Sequence, residues 1–309
     1  MTKLIIGIHG LANKSDKALL KKWWNGSIKE GLANVSDTIP FFKFEMVHWA
    51  DLLYKYPIHE DDNFYFDKLY NNEPYLKAEK KALKSYKDVW PDKIKSRVLE
   101  ATGAALNKLG IDKLTGWVIE KLLKDLNFYY DDQQEILNRK KTKKELAFKV
   151  LKDELKERII GNKDADIMLI AHSMGSIISY DVLRDIGRLP NNTIAIKDFI
   201  TIGSPLGIPY VKQKIREQRT YNQKKDRVRT PTIITNSWVN FADRLDPVAI
   251  DAHLRDDYKA NKKGIRVIDD LVVNDYIGLK GKRNHHKSYG YLRTPEVSKR
   301  VLEFLQMAY

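Results

Sequence analysis

The sequence has no cysteine in its 309 residues. Without thiols the protein cannot contain a disulfide framework, a cysteine nucleophile or a metal site built from cysteine. Long apolar runs are also missing, since none approaches the roughly 18 residues that a membrane-spanning helix requires. The short apolar run at residues 4–8 is not followed by the small-residue cleavage pattern of a signal peptide. We therefore expect a cytoplasmic protein.

Proline and glycine are scarce in the middle of the chain. No proline occurs at residues 92–189, and neither glycine nor proline occurs at 117–160. Because these two residue types interrupt helices, their absence indicates a mainly helical segment. Its apolar residues recur at the spacing of amphipathic helices: Leu106, Leu109, Leu114, Trp117, Val118, Leu122 and Leu126.

Short runs rich in isoleucine and valine predict six buried strands. They lie at residues 3–8, 42–48, 166–171, 197–202, 232–241 and 265–273. Helical patterns occur at 16–30, 174–187 and 295–308. Strands that alternate with helices predict the α/β fold class, with a mostly parallel, doubly wound sheet of about six strands.

The second and third predicted strands are unusually far apart in the chain. Between His48 and Asp166 lie 117 residues, whereas a dozen or more complete a crossover between parallel strands. We therefore predict an inserted helical cap at residues 55–142, followed by a crossover helix at 143–160. The core of the fold would then comprise residues 1–54 and 143–309.

The charge is strongly basic, with 55 Lys and Arg against 41 Asp and Glu and a formal net charge of +14. The densest basic segment is 212–229, and a smaller one is 280–287. These segments are interpreted either as solvated surface or as features that steer an anionic headgroup or an anionic membrane surface. No zinc-finger spacing, RNA-recognition signature or aromatic platform accompanies them, so we expect no nucleic-acid partner.

The most informative residues lie around Ser173, between the apolar strand at 167–170 and a helical pattern. This context is typical of a nucleophile elbow, in which a serine occupies a sharp, strained strand-to-helix turn. Strand and helix backbones crowd at such a turn, and Ala171 and Gly175 are suitably small. The backbone N–H of Met174, at the helix N-terminus, could then stabilise an oxyanion. The alternative is a serine that merely caps a helix.

With this elbow the sequence resembles the α/β-hydrolases, in particular their lipase and esterase branches. Those enzymes usually carry Gly-x-Ser-x-Gly, and Ala171 replaces the first glycine here, a departure that some lipases share. The first predicted strand ends in His9-Gly10-Leu11. In the family a His-Gly dipeptide, here His9-Gly10, introduces the loop that supplies the second oxyanion donor. The resemblance therefore implies Leu11 as that donor, beside Met174.

The family's triad acid follows the fifth strand, and there the resemblance implies Asp246. The triplet Asp246-Pro247-Val248 is similar to the usual acid motif. Asp243 is the rival on the same segment, although it could instead cap the turn. Asp269 and Asp270, in the sixth predicted strand, are weaker candidates.

The family's triad base lies in the loop before the final helix, where this chain has His285 and His286. Lipase-like members often show His-x-x-Tyr at this point, which matches His286 with Tyr289 and favours His286 over His285. A histidine pair could also belong to a metal site, but no further ligands stand at suitable spacing. We expect no metal and no cofactor.

The chemistry expected from this resemblance is cleavage of a carboxylic ester by a Ser173–His286–Asp246 triad through an acyl-enzyme. The substrate would be a small-molecule or lipid ester, and no protein partner is indicated. Acyl transfer and thioester hydrolysis use the same residues and stay open as alternatives. A third alternative is a binding protein that keeps the hydrolase fold without turnover.

Overall fold

A computed structural model describes residues 2–10, 12–58, 73–78, 83–89, 111–138, 141–218, 228–279 and 281–307. Four parts of the sequence-based predictions lie outside the described residues. They are the oxyanion donor at Leu11, nearly half of the cap (59–72, 79–82, 90–110 and 139–140), positions 219–227 of the first basic segment and Lys280 of the second.

Six parallel strands form the central sheet, in the order β2–β1–β5–β6–β7–β8. Their bounds are β1 Lys3–Ile8, β2 Lys43–Val47, β5 Asp166–His172, β6 Ile196–Ile202, β7 Ile234–Asp243 and β8 Val267–Val272. Each lies within two residues of a strand predicted from the sequence. The prediction of an α/β fold with a mostly parallel sheet of about six strands is therefore confirmed.

Helices cover both faces of the sheet. The longer ones are α1 Lys17–Val35, α4 Ile111–Tyr130, α5 Ala147–Gly161, α6 Met174–Gly187, α7 Pro209–Glu217 and α10 Pro295–Gln306. Single turns occur at α2 Ala50–Leu53, α3 Tyr86–Val89, α8 Leu254–Asp257 and α9 Ser288–Leu292. Among the helices that the structure describes, none is both long enough and apolar enough to cross a membrane.

Two hydrophobic cores lie on opposite faces of the sheet, because side chains alternate along each strand. Leu4, Ile6 and Ile8 of β1 belong to the core that α4, α5 and α6 cover, whereas Ile5 belongs to the other. The second core is covered by α1 and α10, which pack together. Burial on both faces explains why β1 reads as a continuous apolar run.

The strand order reverses between β1 and β5. The chain passes from β1 to β2 on one side and returns to place β5 on the other side of β1. Ligands of open α/β sheets bind beyond the carboxyl ends of the strands at such a reversal. His9 and Gly10 follow β1, and Ser173 directly follows β5, so all three lie at this point.

Part of the predicted crossover helix 143–160 has a different structure. Residues Lys143–Leu146 form a strand, β4, which pairs antiparallel with β3 at Glu135–Asn138. The helix begins only at Ala147. A hydrogen bond from Asn138 Nδ2 to Glu145 Oε2 crosses this hairpin, and Thr142 takes the positive φ that its turn needs. Cross-strand pairing thus outweighs the helical propensity of these residues.

Candidate active site

Ser173 occupies the turn between β5 and α6 with a backbone conformation that is rare for serine. Its φ is 52° and its ψ is −128°. Such a conformation costs on the order of 1–3 kcal/mol and persists only where the surroundings enforce it. Here α6 begins against the end of β1, since a Cβ added at Gly175 would lie 2.5 Å from the carbonyl oxygen of His9. Close approach of two backbones therefore requires glycine at 175.

The Ser173 hydroxyl is buried, and its Oγ has no hydrogen-bond partner among the residues that the structure describes. The nearby Ser176 hydroxyl, by contrast, donates to the carbonyl oxygen of Ser173 at 2.6 Å and lies 2.7 Å from Ser204 Oγ. A buried polar atom without a partner needs an explanation beyond stability. Ser173 also precedes the first turn of α6, whose N–H groups and dipole favour negative charge.

The loop after β1 reaches Ser173 at Gly10. A Cβ added there would lie 2.6 Å from the Cβ of Ser173. The preceding residue, His9, is held by Trp49, whose Nε1 donates to the His9 carbonyl oxygen at 3.0 Å and whose ring stacks on the imidazole. His9 Nδ1 donates to the carbonyl oxygen of Gly10 at 2.8 Å. Burial lowers the pKa of His9 well below its usual value, so this ring is neutral.

Asp246 and His286 form a direct pair. The Nδ1 of His286 lies 2.9 Å from each carboxylate oxygen of Asp246, and both residues are buried. Two further donors hold the carboxylate, namely the Tyr291 hydroxyl at 2.6 Å and the Val248 N–H at 2.8 Å. Because a carboxylate accepts from Nδ1–H, the Nε2 of His286 carries the lone pair that can take a proton.

His172 links the elbow to this pair. It directly precedes Ser173, and its ring centroid lies 4.6 Å from that of His286. Its Nε2–H donates to the carbonyl oxygen of His286 at 2.7 Å. Burial, followed by the nearby His286, lowers the pKa of His172 well below its usual value. A neutral His172 thus fixes the backbone of His286 beside the strained serine.

The rival residues form a second pair. His285 Nδ1 donates to Asp243 Oδ2 at 3.3 Å, and the His285 side chain is 20% exposed. The Asp243 carboxylate also accepts from the backbone N–H groups of Leu245 at 2.7 Å and Asn274 at 2.6 Å. These contacts fix the loops that follow β7 and β8. Asp243 is therefore occupied as a capping residue.

The carboxylate of Asp269 is likewise occupied by hydrogen bonds from backbone N–H groups. Its carboxylate accepts from the N–H groups of Leu254 at 3.0 Å and Arg255 at 2.8 Å, the first turn of α8. Asp270 is exposed on β8, the edge strand of the sheet. Within the described part of the chain, neither aspartate forms a hydrogen bond or ion pair with His285 or His286, whereas Asp246 does.

Tyr291 is the residue at this site that the sequence reasoning missed. The His-x-x-Tyr pattern drew attention to Tyr289, but that ring packs among Trp23, Tyr75 and Tyr276. The Tyr291 hydroxyl instead donates to Asp246 and accepts from the Asp243 N–H at 2.9 Å. Both tyrosines are buried, so no sequence signal distinguishes their roles.

An apolar cavity of about 490 Å³ adjoins the elbow between α2, α4, α5 and α6. Met174, the residue after Ser173, lines it together with Trp49, Leu52, Phe128 and Ile178. Asp125 brings one carboxylate to this lining, and burial raises its pKa. The volume falls within the range of about 300–1,000 Å³ typical of small-molecule sites. The cavity can hold an apolar group bound next to Ser173.

The basic segment 212–229 is partly neutralised where the structure describes it. Lys212 is buried and forms ion pairs with Asp257 and Asp251, and Lys214 lies 3.7 Å from Glu217. Lys212 thus joins α7 to the segment around α8, whereas the Lys214–Glu217 pair lies within α7. In the second basic segment, Lys282 and Arg283 are exposed.

A scan against models of protein families finds no match for this chain, and a search of curated proteins finds no significantly similar sequence. The functional interpretation therefore rests on the residues and their geometry.

Proposed function

We propose that the protein is a serine hydrolase that cleaves a carboxylic ester, and that its α/β sheet belongs to an α/β-hydrolase fold. One observation carries the proposal: Ser173 combines a strained backbone with a buried hydroxyl that lacks a partner among the described residues. The Asp246–His286 pair, linked to the elbow by His172, supports the same interpretation. Strain and an unpaired hydroxyl both cost stability, and a nucleophile explains both.

In the proposed reaction, Ser173 Oγ attacks the ester carbonyl carbon while Nε2 of His286 takes the hydroxyl proton. Asp246 accepts from Nδ1–H, fixes the tautomer and stabilises the imidazolium that forms. The Met174 N–H and the dipole of α6 stabilise the oxyanion, and Leu11 is the proposed second donor. His286 then gives its proton to the leaving alcohol, and water hydrolyses the acyl-enzyme with the same base.

The cavity next to Met174 supports an apolar group on the substrate. Its lining is mainly aliphatic and aromatic, so it favours an acyl chain or ring over a polar group. We therefore propose a small-molecule or lipid ester whose apolar part enters this cavity. The two charged residues of the lining, Lys124 and Asp125, have opposite signs.

The direct test is covalent labelling with a fluorophosphonate probe, which reacts only with an activated serine. Wild-type protein is expected to label, and Ser173→Ala is expected to lose labelling and about 10⁶-fold in ester turnover. Ser179→Ala is the matched control, because its Oγ is also buried without a partner among the described residues but lies inside α6. Labelling that survives in Ser173→Ala, or is lost equally in Ser179→Ala, would refute the proposal.

A further inference from the structure

A short hairpin projects from the loop between β8 and the histidine pair. The N–H of Asn284 donates to the carbonyl oxygen of Tyr276 at 2.9 Å, and the N–H of Gly278 donates to that of Lys282 at 2.9 Å. Ile277 and Arg283 face each other as an antiparallel bridge. Gly281 takes the positive φ of 69° that the return of the chain needs. We call residues 276–279 and 281–284 the β8 hairpin.

The outer face of the β8 hairpin combines apolar and cationic side chains. Ile277 and Leu279 are 47% and 59% exposed, and their spacing of two residues places them on one face of the extended chain. The intervening Gly278 is buried against Glu73. Lys282 and Arg283 are exposed on the returning segment, and no carboxylate of the described part of the chain lies within ion-pair distance of either.

The base of the β8 hairpin is continuous with the candidate active site. Asn284 Oδ1 accepts from the His286 N–H at 3.1 Å. On the other side, Asn274 Nδ2 donates to the carbonyl oxygens of His285 at 2.8 Å and Lys287 at 2.9 Å. The hairpin follows β8 at the carboxyl edge of the sheet, where Ser173 also lies. An external surface that binds the β8 hairpin therefore faces the carboxyl edge of the sheet, where Ser173 lies.

We propose that the β8 hairpin docks the protein on an anionic phospholipid surface. Ile277 and Leu279 enter the boundary between headgroups and acyl chains, and Lys282 and Arg283 contact lipid phosphates. Single exposed aliphatic residues are common, but two on one face beside two cations match the two chemical layers of such a surface. A second copy of this chain fits poorly as the occupant, since each copy carries a net charge of +14.

Another exposed apolar surface provides a matched control. Phe41 is 89% exposed and shares a groove with Ile39, Lys21 and Lys29. This groove precedes β2 and so lies at the amino edge of the sheet, opposite the site. The choice of the β8 hairpin over the Phe41 groove rests on the proposed function, because only the hairpin would bring lipid esters towards Ser173.

The test measures binding by sedimentation with vesicles, in a Ser173→Ala background that removes any effect of hydrolysis. Vesicles contain one part phosphatidylserine and three parts phosphatidylcholine, or phosphatidylcholine alone. With anionic vesicles, Lys282→Gln/Arg283→Gln is expected to weaken partitioning roughly 30-fold. Ile277→Ser/Leu279→Ser is expected to weaken it at least about tenfold. Phe41→Ser should change it less than about twofold, and far-UV circular dichroism checks that each variant is folded.

Three outcomes would overturn the docking proposal: no binding of the parent protein to anionic vesicles, unchanged binding of both hairpin variants, or loss of binding only in Phe41→Ser. Probe labelling of the protein with Ser173 intact, in vesicle-free buffer, tests the proposed function separately. Vesicle binding without labelling would leave docking in place and reject the hydrolase, and the converse result would reject docking alone.

Discussion

The pairs Asp246–His286 and Asp243–His285 contain the same residue types and come from the same two loops, yet their surroundings differ. Asp246 receives both contacts from His286 and is held by a tyrosine hydroxyl, in a buried position. Asp243 is shared between two backbone N–H groups and a partly exposed His285. His172 touches the ring of His286. Residue type alone therefore does not assign a role, because the remaining hydrogen-bond partners decide what each carboxylate can do.

The largest expected effect separates the two histidines. His286→Ala removes the proposed base and is expected to reduce turnover of a soluble ester by about 10⁶-fold. His285→Ala should reduce it by less than about tenfold, because a partly exposed pair of this kind contributes about 1 kcal/mol or less. Steady-state kinetics with a chromogenic ester measures both. Equal losses in the two variants would contradict the distinction drawn between the pairs.

Replacing Asp246 should mainly lower kcat, whereas replacing Asp243 should mainly lower the free energy of unfolding. Asp246→Asn is expected to lower kcat about 10⁴-fold, because the amide cannot fix the required tautomer of His286. Asp243→Asn places an amide against backbone donors and should instead lower the free energy of unfolding by about 1–3 kcal/mol. Urea denaturation and ester kinetics are measured on both proteins. A large kcat effect with unchanged stability in Asp243→Asn would reverse the assignment of the acid.

A smaller effect is expected on the pH dependence of stability, and it comes from His172. The neutral ring of His172 contacts the Asp246–His286 pair. Burial lowers the pKa of His172 in the folded protein, whereas the unfolded chain binds a proton near pH 6.5. Below that pH the unfolded state therefore holds more protons, and stability falls as the pH falls, by up to about 1.4 kcal/mol per pH unit. His172→Asn should reduce this slope by up to the same amount, measured by urea denaturation between about pH 5.5 and about pH 7.5. His9, whose pKa is also lowered, is present in both the wild type and His172→Asn, so its contribution cancels in the comparison. The same dependence of stability on pH in the two proteins would therefore show that His172 is not held neutral.

The sheet was predictable because its signal is local. Apolar runs such as 166–171 are buried on both faces, and this burial leaves a continuous pattern in the sequence. Ser173 could likewise be selected as a candidate, since the elbow needs small residues at fixed offsets. Its role as a nucleophile stays a prediction.

The arrangement around the acid could not be predicted, because it depends on contacts between distant segments. Asp243 and Asp246 lie on one turn, and their side chains differ in direction only once β8 and α9 are in place. Tyr289 and Tyr291 face different neighbours for the same reason. Strand β4 was missed because its partner β3, rather than its own composition, determines its structure.

The packing of α1 against the last helices affects how the chain acquires its structure during synthesis. Ser27 Oγ donates to the carbonyl oxygen of Tyr289 across 262 positions, and Trp24 of α1 shares a core with Phe304 of α10. Contacts this distant in sequence slow folding. A ribosome adds roughly 5–20 residues per second, so α1 waits at least about 13 seconds for its partner. Throughout that interval its tryptophans need protection from aggregation, and the acid–base pair beside Tyr291 cannot yet exist.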